Sequence, residues 1–237
     1  MAVWGRLLNQ RMKEIFNPAR GLGVILLAAG SSRRMGRPKL LLPWGRTSVL
    51  GQQIQNWQEL GVGQIAVVCA SQDALMQAEL DRLNFPAANR IQNPQPEQGM
   101  FGSIRCAAQW PGWSAELTRR AITLGDQPHL GLETLRALLQ FSATQPTRVC
   151  QPRRLGHLRH PVILPNEIFR QLAQTSAPTL KEFLKPISGA IAACDLADPG
   201  LDLDLDTPAD YERALLTSNA RTCPSQNVSV HSRSKAS

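Results

Sequence analysis

The chain has 237 residues and a net charge of +8. That length suits one α/β domain of ordinary to large size, and no apolar run approaches the ~18 residues that a membrane helix needs. Much of the charge sits at the ends, about +3 in residues 1–20 and about +3 in residues 217–237. With no aromatic-interleaved basic face and no RNP or zinc-finger pattern, a specific nucleic-acid partner is excluded, and the ends offer only weak attraction to polyanions.

Residues 1–20 read as an N-terminal extension. Trp4, Leu7, Leu8, Met12, Ile15 and Phe16 have a short amphipathic helical spacing that stops at Asn17-Pro18. A helix for a partner or membrane surface fits this spacing, and so does a loosely docked extension; the second is preferred, and Met12 is an alternative start. There is no long apolar core or cleavage site of a secretory signal. Cys69, Cys106, Cys150, Cys194 and Cys223 are scattered, odd in number and without a Cys-x-x-Cys pair. Reduced thiols in a cytoplasmic protein are expected, not a cysteine metal site.

Residues 24–28 are apolar with a β-branched start, the pattern of a buried strand. The strand breaks into Ala29-Gly30-Ser31-Ser32, small residues that let backbone amides approach a ligand closely. Arg33, Arg34, Arg37 and Lys39 follow at once. A small-residue loop loaded with cations is what a polyphosphate requires: amides for its oxygens, and fixed positive charge. From spacing alone, a solvated basic turn weighs evenly against it. The stretch is neither a Walker loop nor a dinucleotide glycine fingerprint.

Further along, residues 48–60 predict a helix ended by Gly61, residues 65–69 a strand, 74–83 a helix and 90–92 a short strand. Residues 93–99 read as a loop, with a helix over 103–110 behind a Gly99–Gly102 turn. Residues 121–124 predict a strand stopping at Gly125-Asp126, and 132–141 a helix. Short strands at 148–150 and 161–164 flank a basic loop, followed by helices at 166–172 and 179–184 and a strand at 190–194. A last helix spans 208–216 with proline in its first turn, and residues 217–237 read as a disordered tail. Residues 21–216 therefore predict one α/β domain, a three-layer α/β/α arrangement with a mostly parallel sheet. Ligands of such folds bind beyond the carboxyl ends of strands, where Gly30 and Asp126 both fall.

Asp126 can hold Mg²⁺ on phosphate oxygens, although a strand-end aspartate is more often a plain turn former. Asp202, Asp204 and Asp206 alternate with Leu201, Leu203 and Leu205, which puts three carboxylates on one face. A solvated edge strand explains that pattern, and a metal role for Asp206, more weakly for Asp204, is the other reading. Gly99, Gly102 and Ser103 suit an anion or a ribose at a helix start, or a simple capping turn. Arg153, Arg154, Arg159 and His160 form a basic stretch that suits either a phosphate-bearing acceptor or solvent.

The run Leu27-Ala28-Ala29-Gly30-Ser31-Ser32-Arg33-Arg34-Met35-Gly36-Arg37-Pro38-Lys39 closely resembles the L-A-A/G-G-x-S-x-R-M-G-x-x-K signature of MobA-like nucleotidyltransferases. Gln98-Gly99-Met100-Phe101-Gly102-Ser103, Leu124-Gly125-Asp126-Gln127-Pro128, His160-Pro161-Val162 and Asp204-Leu205-Asp206-Thr207-Pro208-Ala209-Asp210 agree in the same order. Together, over roughly residues 22 to 216, they resemble the molybdenum-cofactor cytidylyltransferase branch.

The resemblance implies a Rossmann-like nucleotidyltransferase fold and an enzyme that transfers CMP from CTP to the phosphate of molybdopterin cofactor, releasing pyrophosphate. It implies Mg²⁺ as cofactor, held by Asp126 and Asp206, and nucleotide contacts from Leu27, Ala28, Ala29, Gly30, Ser31, Arg34, Lys39, Gly99 and Ser103. Arg34, Lys39 and Asp126 would serve catalysis, and Ala29 favours cytidine over guanosine. His160 and Arg159 fall on the acceptor side, where Leu158-Arg159 replaces the Arg-Gly that precedes this histidine in the family. A molybdoenzyme or its maturation chaperone is the expected receiver. Two alternatives stay open: a sugar phosphate or other phosphorylated acceptor, and a non-catalytic carrier of the molybdenum cofactor.

Overall fold

The computed structural model describes residues 17–30 and 32–222. The amphipathic spacing before Asn17, Met12, Ser31 and the tail from residue 223 with Cys223 lie outside the described residues, as does the Arg33 side chain.

Strand β1 (Leu22–Leu27) lies inside the main sheet, between β4 (Gln64–Ala70) and β6 (Arg119–Leu124), parallel to both. Val24, Ile25 and Leu26 are fully buried. A strand covered on both faces needs an unbroken apolar run, as the sequence has here. Outward from β4 comes β5 (Arg90–Asn93), also parallel. On the other side, β6 pairs with β9 (Val162–Pro165), which pairs with β7 (Val149–Arg154), and β10 (Ile191–Asp195) closes that edge. β9 runs antiparallel to both its neighbours, and β8 (His157–Leu158) folds back on β7 as a hairpin; the other pairings are parallel. A separate small hairpin joins β2 (Pro43–Trp44) to β3 (Thr47–Ser48).

Alternate residues of β1 feed two cores. Val24 and Leu26 pack with residues of α1 (Val49–Glu59), α2 (Ala74–Arg82), α4 (Leu132–Ala143) and α7 (Pro208–Thr222). Ile25 packs with residues of α3 (Gly99–Gln109), α5 (Asn166–Gln171) and α6 (Leu180–Leu184) on the opposite face. This is the three-layer α/β/α arrangement the alternation of elements predicts. Ser48 starts α1 as its N-cap, its hydroxyl accepting from the Gly51 amide at 3.0 Å, and Asp73 does the same for α2 through the Met76 amide at 3.0 Å.

Four local features differ from the sequence reading. Helix α3 begins at Gly99, so Gly102 and Ser103 lie within the helix and not in a turn before it. Gly99 has φ 77°, which lets the chain leave the Pro96–Gln98 turn directly into the helix. Strand β6 begins at Arg119, and both Arg119 and Arg120 are buried. The Asp202–Asp206 stretch is not an edge strand: a 3₁₀ turn, Pro199–Asp202, leads into extended backbone outside any sheet. Its leucines still face inward, since Leu201 and Leu205 are buried. Helix α7 continues to Thr222, past the point where apolar periodicity fades.

Residues 17–20, placed by the sequence in the extension, form a turn docked on the domain. The Asn17 amide donates to the Leu60 carbonyl at 3.2 Å, and Ala19 is buried. Cys69, Cys150 and Cys194 are buried free thiols, and Cys106 is half-buried.

Candidate functional site

The carboxyl ends of β1, β4, β5 and β6 open onto one cavity of about 830 Å³. Its wall includes Leu27, Ala29 and Gly30 after β1, Ala70 and Asp73 after β4, Glu97, Gly99, Met100 and Ser103 after β5, and Gly125 and Asp126 after β6. Arg34, Lys39, Asp204 and Asp206 complete it. Ala28 is buried behind this wall, its amide bonded to the Val68 carbonyl at 2.8 Å. The small residues Ala29 and Gly30 after β1 thus lie at the cavity surface.

Lys39 links the site. A 3₁₀ turn, Lys39–Leu41, presents its ammonium, and the Lys39 amide is bonded to the Ser32 hydroxyl at 3.1 Å. The ammonium donates to Asp126 and lies 3.3 Å from Asp206. Arg34, largely exposed, reaches the other Asp206 oxygen at 2.8 Å. Burial works to lower the Lys39 pKa, but Asp126 and Asp206 together outweigh it, and the net direction is upward. The lysine is a fixed cation between two carboxylates from distant segments.

Gly125 sets the position of Asp126. A side chain there would stand 2.7 Å from the Leu27 carbonyl oxygen, so only glycine lets β6 end this close to β1. Asp206 is placed differently, on the extended arm between Leu205 and α7. Asp204, on the same arm, accepts from the Gln127 amide at 3.0 Å. Burial and the nearby Asp126 carboxylate raise the Asp204 pKa.

His160 and Arg159 stand apart from the cavity wall. Nδ1 of His160 lies 3.4 Å from the Ile122 carbonyl oxygen, and burial lowers the His160 pKa against the pull of Asp204 and Asp126. Arg159 is paired with Asp202 at 2.7 Å, Arg154 is bonded to the same carboxylate, and Arg153 is held by Asp195 at 2.6 Å. Three guanidiniums thus share two carboxylates, and an anion binding there would compete with Asp195 and Asp202 for them.

Sequence reasoning missed Asp73, Glu97 and Met100 as cavity residues. Asp73 was findable, because it comes after the carboxyl end of β4, where ligands of this sheet type bind. Its inclusion changes the electrostatics: five carboxylates (Asp73, Glu97, Asp126, Asp204, Asp206) face two cations (Arg34, Lys39) around the cavity. A polyphosphate entering such a wall needs additional positive charge. Oxygen-only donors that converge on one point suit a hard divalent ion such as Mg²⁺, which typically takes one or two carboxylates and fills its remaining positions with water and substrate phosphates. Asp126 and Asp206 fit that description. Among the described residues, no group of three or more His, Cys, Asp or Glu forms a ready-made metal cage.

The molybdenum cofactor cytidylyltransferase of Escherichia coli (strain K12) is 25% identical over 188 residues, which cover 79% of this chain and 92% of that protein. A crystal structure of Rv0371c from Mycobacterium tuberculosis H37Rv superimposes with a TM-score of 0.62 at 26% identity, covering 82% of this chain and 97% of that one. A nucleotidyl transferase from Methanothermobacter thermautotroptrophicus shares the fold, with a TM-score of 0.69 at 18% identity over 85% of this chain and 99% of that one. No described helix is long and apolar enough to cross a membrane. Residues 24–192 match the description of a MobA-like NTP transferase domain, and the chain belongs to that family.

Proposed function

We propose that this protein is a Mg²⁺-dependent cytidylyltransferase that transfers CMP from CTP to the phosphate of molybdopterin cofactor, in the cytoplasm. The observation that carries the reading is the convergence of Asp126 and Asp206 on Lys39 beside the loop at Gly30. Similarity to the Escherichia coli cytidylyltransferase supports the choice of base and acceptor.

In the proposed reaction an acceptor phosphate oxygen forms a bond to the α-phosphorus of CTP. The bond from that phosphorus to the bridging oxygen breaks, and pyrophosphate leaves. Transfers of this kind depend on position and charge, so no side-chain nucleophile is required. The loop Leu27–Gly30, Gly99 and Ser103 would hold the nucleotide, with Ser31 assigned there by the family signature alone. Lys39 and Arg34 would turn from their carboxylates towards the phosphates and stabilise charge on the departing pyrophosphate. Asp126 and Asp206 would hold Mg²⁺, which supplies positive charge to phosphate oxygens. Burial lowers the His160 pKa and so disfavours the charged ring, and His160 would contact the acceptor as a hydrogen-bonding group. Arg159 would have to leave Asp202 to reach an acceptor phosphate.

The test incubates the purified protein with each of the four nucleoside triphosphates, molybdopterin cofactor and Mg²⁺. Pyrophosphate release with CTP and the pterin is expected, and Asp126→Ala should abolish it. Release with a sugar phosphate but not the pterin would reject the acceptor. Pterin binding that survives Asp126→Ala, with no pyrophosphate from any nucleotide, would make the protein a carrier that hands the cofactor to a molybdoenzyme or its chaperone.

A further inference from the structure

Asp206 sits on an arm with little backbone support. From Leu203 to Asp206 the chain belongs to no strand or helix, and its local bonds are Leu203 amide to Gly200 carbonyl at 3.3 Å and Asp206 amide to Asp204 carbonyl at 3.0 Å. The backbone beyond Asp206 is firm. The Thr207 amide donates to Asp210 at 3.0 Å, and the Asp210 amide donates to the Thr207 hydroxyl at 3.2 Å, a reciprocal cap that starts α7. Asp206 therefore lies between the buried Leu205 and the capped start of α7, and the placement of α7 is one of the two anchors that set it.

Helix α7 touches the core through Ala214, which is buried, with Tyr211 and Leu215 packed beside it. Tyr211 also reaches outside the helix. Its hydroxyl donates to the Pro43 carbonyl, and its ring meets Trp44 edge-on at 6.2 Å between centroids. Trp44 is itself buried, 3% exposed. Pro43 and Trp44 come directly after the turn that presents Lys39. Tyr211 thus joins the segment bearing Asp206 to the segment bearing Lys39 at a point away from the cavity wall.

We propose that Tyr211 is a positioning residue that sets the reach of Asp206 towards the cation site. Its hydroxyl fixes α7 against the β2–β3 hairpin, and the capped first turn of α7 carries Asp206 to Lys39 and Arg34. The inference rests on the proposed reading of Asp126 and Asp206 as the residues that hold a divalent ion.

The experiment titrates Mn²⁺ into protein with saturating non-hydrolysable CTP analogue and reads nucleotide binding by calorimetry. Tyr211→Phe keeps the ring and its edge contact with Trp44, so the fold is retained, and thermal unfolding checks this. The expected result is an increase of about fivefold in the Mn²⁺ concentration for half-maximal binding, the factor matching one hydrogen bond of about 1 kcal/mol. Tyr211→Leu, which also removes the ring contact, should shift it further. The KM for CTP at saturating Mn²⁺ should stay near that of the wild type. An unchanged Mn²⁺ midpoint in Tyr211→Phe, with or without a lower melting temperature, overturns the inference and makes Tyr211 a packing residue only. If the wild type shows no metal-dependent nucleotide binding, the reading of the site fails, and the inference with it.

Discussion

Lys39 donates a hydrogen bond to Asp126, 87 positions further along the chain, and the two side chains are 17% and 13% exposed. Such limited access to water makes the pair sensitive to loss of either partner. The same ammonium approaches Asp206, which Arg34 also holds, so Asp126 depends on the lysine more than Asp206 does.

Replacing that ammonium separates charge balance from catalysis. Lys39→Met leaves Asp126 and Asp206 facing each other at a partly buried position, a change expected to cost about 2 kcal/mol, below the range for fully buried pairs because water reaches Asp206. Mg²⁺ or Mn²⁺ should recover much of the lost melting temperature by binding the folded state, and do so without nucleotide. Pyrophosphate release should fall about a hundredfold or more. A melting temperature that ignores the metal would refute the shared cation site.

Gly125→Ala tests how closely β6 must approach β1. The new methyl would meet the Leu27 carbonyl at 2.7 Å and Leu40 at 3.1 Å, and the backbone oxygen cannot move aside as a flexible side-chain end would. Destabilisation of about 1–3 kcal/mol is expected, with loss of activity as Asp126 shifts from Lys39. Full activity in this variant would show that the approach is not needed.

His160 gives a pH dependence with a definite sign. Its folded-state pKa is lowered by burial, so its contribution to stability is fully present above the unfolded value near 6.5, begins to be lost below it, and is gone once pH has fallen through the lower folded-state pKa. Melting temperatures recorded from pH 7.5 to 5 should decline, the loss of stability from this one residue being at most about 1.4 kcal/mol per pH unit. His160→Asn should flatten the decline. An equal slope in both proteins would place the acid sensitivity elsewhere.

Ser48→Ala serves as a contrast. Loss of the N-cap of α1 should cost about 1 kcal/mol and lower the melting temperature by about 2–4 °C. The turnover number should not change, because Ser48, buried at the end of β3, does not line the cavity. A changed turnover would tie the hairpin to the chemistry more directly than Tyr211 does.

The strand-to-loop transition at Leu27–Gly30 was legible because composition changes abruptly there, from β-branched and apolar to small and then basic. Asp126 was legible from its place after a strand. The alternation at Asp202, Asp204 and Asp206 predicts one carboxylate face, but Asp202 ends a 3₁₀ turn and pairs with Arg154 and Arg159, and only Asp204 and Asp206 reach the cavity, because alternation also describes extended backbone without a ladder. Arg119 and Arg120 were excluded from β6 because charged residues are rarely buried. Here the Ser142 hydroxyl, at 2.7 Å, and the Pro18 carbonyl, at 3.1 Å, take the Arg119 guanidinium. The Trp113 ring covers Arg120 at 4.7 Å, and burial lowers the Arg120 pKa to about 10. Such partners come from distant segments and leave no local pattern. Asp73 and Glu97 were missed for a related reason, since isolated acids carry no motif.

The docked turn at residues 17–20 bears on where the chain can be cut. Trimming to Gly21 would take away the Pro18 oxygen that Arg119 uses and the Asn17 amide that closes the end of α1, where Leu60 and Gly61 turn towards β4. A shortened protein starting at Gly21 would leave one side of the Arg119 guanidinium without its carbonyl partner, at the end of the sheet opposite the cavity. It would lose solubility or yield before any change at the nucleotide end became measurable, whereas one beginning at Asn17 would keep that seal.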